Sequence, residues 1–295
     1  MHTRYNEITT MRTFGIAEGR PNMKIYDMHI HTDGYGAPNQ AGLLEKLKEC
    51  GISGGCVFST SPEPAWGSSH HPFEQRMEDV LQWTEGNDEL FPVMFIHPYE
   101  KDILKNIHLA VDNGIDAFKI ICDTFYVYEE QSMRVLQEIA ETGKPVIFHS
   151  GILWDGYVSS KYNRPLFWEE LMPIKNLRFS MGHCSWPWYD ECIALYGKFH
   201  WAHRKIEGCS EMFYDLTPGA PAVYRKDLFT KLFNTWPAEN NIMFGTDCTA
   251  DHYNAEASKA LIDHEISIMN ELQISKEVQE RIFSKNLLCF LGKQV

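Results

Sequence analysis

The chain has 295 residues, 44% of them hydrophobic and 23% charged, with a formal net charge of −13. That composition is that of a water-soluble globular protein with a large core, and its negative balance argues against nucleic acid or an anionic membrane as the main partner. No apolar run is long enough to span a bilayer, and the N-terminus carries no signal-like apolar segment.

Residues 1–22 are polar and aperiodic, end in Glu18-Gly19-Arg20-Pro21-Asn22, and read as an N-terminal arm preceding a single domain over 23–295. From Met23 onward, short apolar runs alternate with amphipathic stretches. The runs 24–30, 53–59, 91–96, 115–121, 145–149, 177–182, 210–216 and 241–246 are predicted strands. Between them, Leu43, Leu44, Leu47 and Cys50 recur at helical spacing, as do Val135, Leu136, Ile139 and Ala140, and a further helix is expected from Pro165. Gly51, Gly114 and Gly143 fall where helices need left-handed C-terminal turns. Eight strand–helix units predict an α/β fold, a single (β/α)8 TIM barrel, regular or distorted. A doubly wound open sheet is the competing architecture, weakened by the absence of Gly-x-Gly-x-x-Gly after the first strand. The eight cysteines include no Cys-x-x-Cys pair and read as thiols of a cytoplasmic protein.

In a barrel of this kind the reactive residues collect where strands end. The first strand ends in Asp27-Met28-His29-Ile30-His31, whose alternation sends the two imidazoles the same way. The fifth ends in His149-Ser150-Gly151, the sixth in Gly182-His183-Cys184 and the eighth in Gly245-Thr246-Asp247. Nitrogen and carboxylate donors at several strand ends suit zinc, and also manganese or iron. Core or rim side chains with ordinary hydrogen bonds are the alternative for each residue taken alone.

Taken in this order, the pieces resemble the amidohydrolase superfamily of metal-dependent barrels. They are most similar to the branch holding aminocarboxymuconate-semialdehyde decarboxylase, related aromatic-acid decarboxylases and lactone hydrolases. Asn286-Leu287-Leu288 resembles the helix that closes such chains, so the likeness runs from about Met23 to the C-terminus. The resemblance implies that His29, His31, His149 and Asp247 hold a divalent metal, that Asp247 serves as general acid and base toward metal-activated water, and that His183 stabilises charge on the substrate. Lys119, on the fourth strand, is a further candidate ligand, because a carboxylated lysine bridges two metals in some members; one ion is favoured over two. Arg164, Trp154, Tyr157 and Trp186 are candidate substrate contacts, and packing among themselves or at a subunit contact is their alternative reading.

Hydrolysis of a small ester, lactone or amide is the first expectation. Non-oxidative decarboxylation of a carboxylic acid on the same scaffold is the second. The Asp-x-His-x-His-Thr-Asp-Gly opening also resembles polymerase-and-histidinol-phosphatase phosphoesterases, but their usual closing Asp-x-His is replaced here by Asp247-Cys248-Thr249. A protein that only binds a small molecule is the fourth, and a homo-oligomer is compatible with all of them.

Overall fold

The computed structural model describes residues 23–34, 37–62 and 70–294; the expected arm at 1–22 lies outside them. Its strands are β1 (Tyr26–His31), β2 (Gly54–Phe58), β3 (Leu90–Phe95), β4 (Ala117–Ile120), β5 (Val146–Phe148), β6 (Arg178–Met181), β7 (Glu211–Asp215), β8 (Ile242–Met243) and β9 (Cys248–Thr249). All are parallel, in the order β8-β7-β6-β5-β4-β3-β2-β1-β9. The eight predicted runs each overlap one of β1–β8, while β9 went unforeseen. It is two residues long, follows β8 after a four-residue break, and pairs with β1 at Ile30↔Cys248 and His31↔Thr249. Met28 N also donates to the Phe244 carbonyl at 3.0 Å, so the first and last strands meet and the sheet closes into a TIM-barrel-like (β/α)8 fold.

Between the strands lie α1 (Gln40–Cys50), α2 (Phe73–Thr84), α3 (Ile103–Asp112), α4 (Glu130–Glu141), α5 (Tyr189–Ala202) and α6 (Arg225–Thr235), and after β9 come α7 (Ala255–Glu271), α8 (Lys276–Glu280) and α9 (Asn286–Leu291). Leu43, Leu47 and Cys50 of α1 and Val135, Leu136, Ile139 and Ala140 of α4 are buried, as their spacing requires. The β5–β6 connection differs from the expected helix. It contains 3-10 turns at Ser160–Tyr162 and Pro165–Leu171, with Trp168 sunk fully into the core against Phe148. All eight cysteines are thiols. Among the described residues, no helix is long and apolar enough to cross a membrane.

The barrel interior is a separate apolar cluster that includes Tyr26, Met28, Phe58, Phe91, Ile147, Phe213 and Met243, with Leu287, Phe290 and Leu291 of α9 packed onto it. Asn286 anchors that helix by donating from Nδ2 to the carbonyls of Glu239 and Ile242, both at 2.8 Å.

Strand β1 departs from strict alternation. Its pairing with β2 steps from Asp27↔Gly55 to Ile30↔Val57, three residues against two. Such a bulge re-aims side chains. Met28 therefore belongs to the interior cluster, and the next residue, His29, also turns inward, its ring 4.7 Å from that of Phe58. The buried Asp27 carboxylate holds the bulge. Oδ1 accepts from His29 N (3.0 Å) and Thr246 N (2.9 Å); Oδ2 accepts from Thr246 Oγ1 (2.5 Å) and Tyr253 OH (2.8 Å). Gly55 makes the close approach to Asp27 feasible, because a Cβ there would lie 2.0 Å from the Asp27 carbonyl oxygen. Truncation of Asp27 strands four donors at the seam; Asp27→Ala is expected to lower the unfolding free energy by about 3 kcal/mol or more, measured by urea denaturation.

Candidate metal centre

His29, His31 and Asp247 converge at the C-terminal mouth of the barrel, each offering an atom within 4.8 Å of the others. The bulge delivers the two imidazoles, and the β8–β9 break delivers the carboxylate. Asp247 occupies that break with φ +61°, a left-handed backbone tolerated by aspartate, which turns its side chain toward the histidines. Asp247 Oδ1 lies 3.2 Å from His31 Nε2 and 3.5 Å from His29 Nε2.

His29 is oriented by a residue that the sequence reading missed. Asp215, fully buried at the end of β7, sits with Oδ2 2.8 Å from His29 Nδ1. A carboxylate oxygen only accepts, so Nδ1 carries the proton and Nε2 presents a lone pair to the cluster. Burial, followed by the Lys119 cation, holds the His29 pKa well below that of a free imidazole, and the ring is neutral. Burial drives the Asp247 carboxyl upward. The hydrogen bond from His31 and the field of His183, His29 and His31 outweigh it and hold the group well below the usual carboxylate range. His29 Nε2 and Asp247 Oδ1 are thus two acceptors facing one another with no proton between them. A cation relieves that contact, so the donor set fits a divalent ion.

Lys119 already supplies part of this charge. Its ammonium lies 3.3 Å from His29 Nε2 and 5.3 Å from the Phe58 ring centre. Burial pushes its pKa down to about 8, against the pull of Asp215 and Asp247. The other predicted residues are distributed around this core. His149 stands beside His183, ring centres 5.0 Å apart, and its Nε2 donates to the Ile152 carbonyl at 3.2 Å instead of joining the three converging atoms. Burial, with the neighbouring His183 and Lys119, keeps His149 neutral. His183 opens a run of three left-handed residues, His183, Cys184 and Ser185, at the end of β6; strain of this kind gathers at functional sites.

The candidate substrate contacts of the aromatic rim pack against one another and against neighbouring side chains. Arg164 Nε donates to Glu191 Oε2 at 2.9 Å, and its guanidinium lies over Trp188, so its charge is already matched within the chain. Trp154 stacks on Trp186 with ring centres 6.2 Å apart, Trp186 leans on Tyr224, and Tyr157 is exposed. His97 and Asp123, at the ends of β3 and β4, form a buried pair at 3.5 Å. His70 and His71 are exposed.

A family model described as amidohydrolase matches residues 26–288. Comparison with curated proteins finds no match. Among solved structures, 2,6-dihydroxybenzoate decarboxylase from Rhizobium aligns with a TM-score of 0.61 at 11% identity, covering 92% of this chain and 99% of the other. A probable 2-pyrone-4,6-dicarboxylic acid hydrolase from Acinetobacter baumannii aligns at 0.59 and 12% identity, covering 92% and 100%. Dihydroorotase from Campylobacter jejuni aligns at 0.57 and 14%, covering 92% and 84%. At these identities the likeness is one of fold.

Two outcomes follow from the electrostatics. Asp215→Asn is expected to weaken the binding of an added divalent ion by about 10–100-fold, read by competition with a chromogenic chelator. The folded-state pKa of Lys119 lies below its unfolded value, so in metal-stripped protein it costs stability below pH 8, a cost removed as pH rises from about 8 to 10.5. Lys119→Met is therefore the more stable protein at pH 7, by about 1–3 kcal/mol, and its advantage shrinks across that window in denaturation measured pH by pH.

Proposed function

The chain belongs to the amidohydrolase family, and on that premise we propose that it is a metal-dependent hydrolase of a small ester, lactone or amide. Zinc is the favoured ion, with manganese or iron as alternatives. The observation that carries this reading is the pair of facing acceptors, His29 Nε2 and Asp247 Oδ1, with His31 Nε2 beside them. His29, His31 and Asp247 would hold one ion, and His149 would join them as a further ligand on releasing its bond to the Ile152 carbonyl. Bound there, the ion supplies Lewis acidity and makes a water acidic near neutral pH.

The chain's own groups do the remaining work. Asp247, kept ionised by its histidine neighbours, accepts the proton of the attacking water and returns it to the leaving group. His183, on its strained turn, stabilises the oxygen that gains negative charge through Nε2, which donates to it only once that nitrogen has taken up a proton. Lys119 adds a buried positive charge close to the same place. The stacked Trp154 and Trp186 form an apolar wall for a flat substrate.

Protein purified without chelator should carry about one ion per chain by elemental analysis, as a mononuclear site of this donor set requires. It should hydrolyse at least one of p-nitrophenyl acetate, dihydrocoumarin and acetanilide. At saturating zinc, Asp247→Asn should lower turnover by about 10²–10⁴-fold. Full activity in that variant would sink the mechanism. Release of carbon dioxide from a carboxylic acid such as 2,6-dihydroxybenzoate, without hydrolysis, would put decarboxylation in its place. About two ions per chain, falling in Lys119→Met, would replace the mononuclear site with a bridged one.

A further inference from the structure

The segment after β7 does more than hold His29. Asp215 Oδ1, the oxygen not facing His29, accepts from Thr217 N at 2.7 Å and from Thr217 Oγ1 at 2.5 Å. A threonine hydroxyl has one proton, and a carboxylate oxygen can only accept, so that proton is committed to Asp215. On its other side Thr217 Oγ1 lies 3.2 Å from His183 Nδ1, with the Thr217 carbonyl 3.4 Å from the same nitrogen. Neither oxygen has a proton left to give. His183 Nδ1 must therefore be the donor, and in the neutral ring Nε2 is the bare nitrogen. The loop also fixes where the ring lies. A Cβ on Gly219 would come within 2.5 Å of His183 Cβ and 2.6 Å of Cγ, so the backbone rests directly on the imidazole.

We propose that Thr217 is a positioning residue that locks His183 as the Nδ1–H tautomer, through the same Asp215 carboxylate that sets the tautomer of His29. One buried anion then specifies both rings by counting protons along His29–Asp215–Thr217–His183, and both rings keep Nε2 as the nitrogen free for chemistry. The role given to His183 rests on the hydrolase reading above; its tautomer does not.

The test is long-range ¹H–¹⁵N NMR on protein labelled at histidine and loaded with zinc. The His183 signals are identified by their loss in His183→Asn. The wild-type ring should show a single Nδ1–H pattern. Thr217→Ser keeps the hydroxyl and should keep that pattern. Thr217→Val removes it and should give an averaged pattern of both tautomers with zinc content unchanged. Turnover of p-nitrophenyl acetate or dihydrocoumarin should fall by about 10–100-fold in the valine variant and recover in the serine variant. An Nε2–H ring in the wild type overturns the proposal, as does a valine variant whose ring matches the wild type. Should the valine variant fail to fold, the wild-type and serine spectra still decide. If hydrolysis fails while the Nδ1–H pattern holds, the functional reading is wrong and the relay stands. If the pattern is absent while hydrolysis depends on Asp247, the relay is wrong and the function stands.

Discussion

The four hydrogen bonds to Asp27 carry the organisation of this barrel. Its last strand is in two short pieces, and a plain ladder of backbone bonds cannot run through the gap between them. The Asp27 carboxylate takes the place of the missing rungs by accepting from Thr246 twice, from Tyr253 and from His29 N. Burial raises its pKa to about 6 against the pull of the bonds from Thr246, His29 and Tyr253. The same group stabilises the bulge that turns His29 inward and fixes the turn that carries Asp247. Closure of the sheet and assembly of the cluster are thus one structural event.

Around that seam the barrel mouth balances opposing charge within a buried space. Two imidazoles are neutral because their charged forms would be poorly solvated. The Asp247 carboxylate is kept charged by the rings around it, and Lys119 retains a proton that burial makes easy to lose. Asp215, out of reach of solvent, orders the arrangement by removing ambiguity about which nitrogen bears a proton. Loops farther out are tied with their own charges: Arg76 reaches the Phe95 carbonyl and Glu100, and Glu100 accepts from His97 N at 2.8 Å.

The strands were legible because each is a short apolar run bounded by turn residues, and buried parallel strands need little else. His29, His31, His183 and Asp247 stood out because several donor types at strand ends form a pattern across the chain. What stayed hidden lacks a local signature. Period-two alternation relates His29 to His31 correctly, but it cannot show that Met28 faces inward as well, since a bulge is set by the neighbouring strand. Asp215 sits in Glu-Met-Phe-Tyr-Asp-Leu-Thr, where one aspartate after an apolar run carries no mark of its partner on another strand. The available signal was its place at the end of the seventh strand, the same test that singled out the others. The ion pair of Arg164, a candidate substrate contact by sequence, is equally hidden, because Glu191, 27 residues on, is invisible to local reasoning. The helix expected from Pro165 gave way to 3-10 turns, in which Trp168 is buried against Phe148.

The seam has a consequence for how the chain acquires its chemistry. Asp27 and Thr246 are 219 residues apart in sequence, so the contact that completes the mouth is among the longest-range in the molecule. Bringing such distant segments together carries a loop-closure cost, and long-range contacts of this kind slow folding. The histidines of β1 emerge early from the ribosome, but Asp247 and the turn that aims it emerge only after the other seven strands. An incomplete or half-folded chain therefore offers a solitary pair of imidazoles and no anionic third donor. Chemical competence arrives together with topological completion.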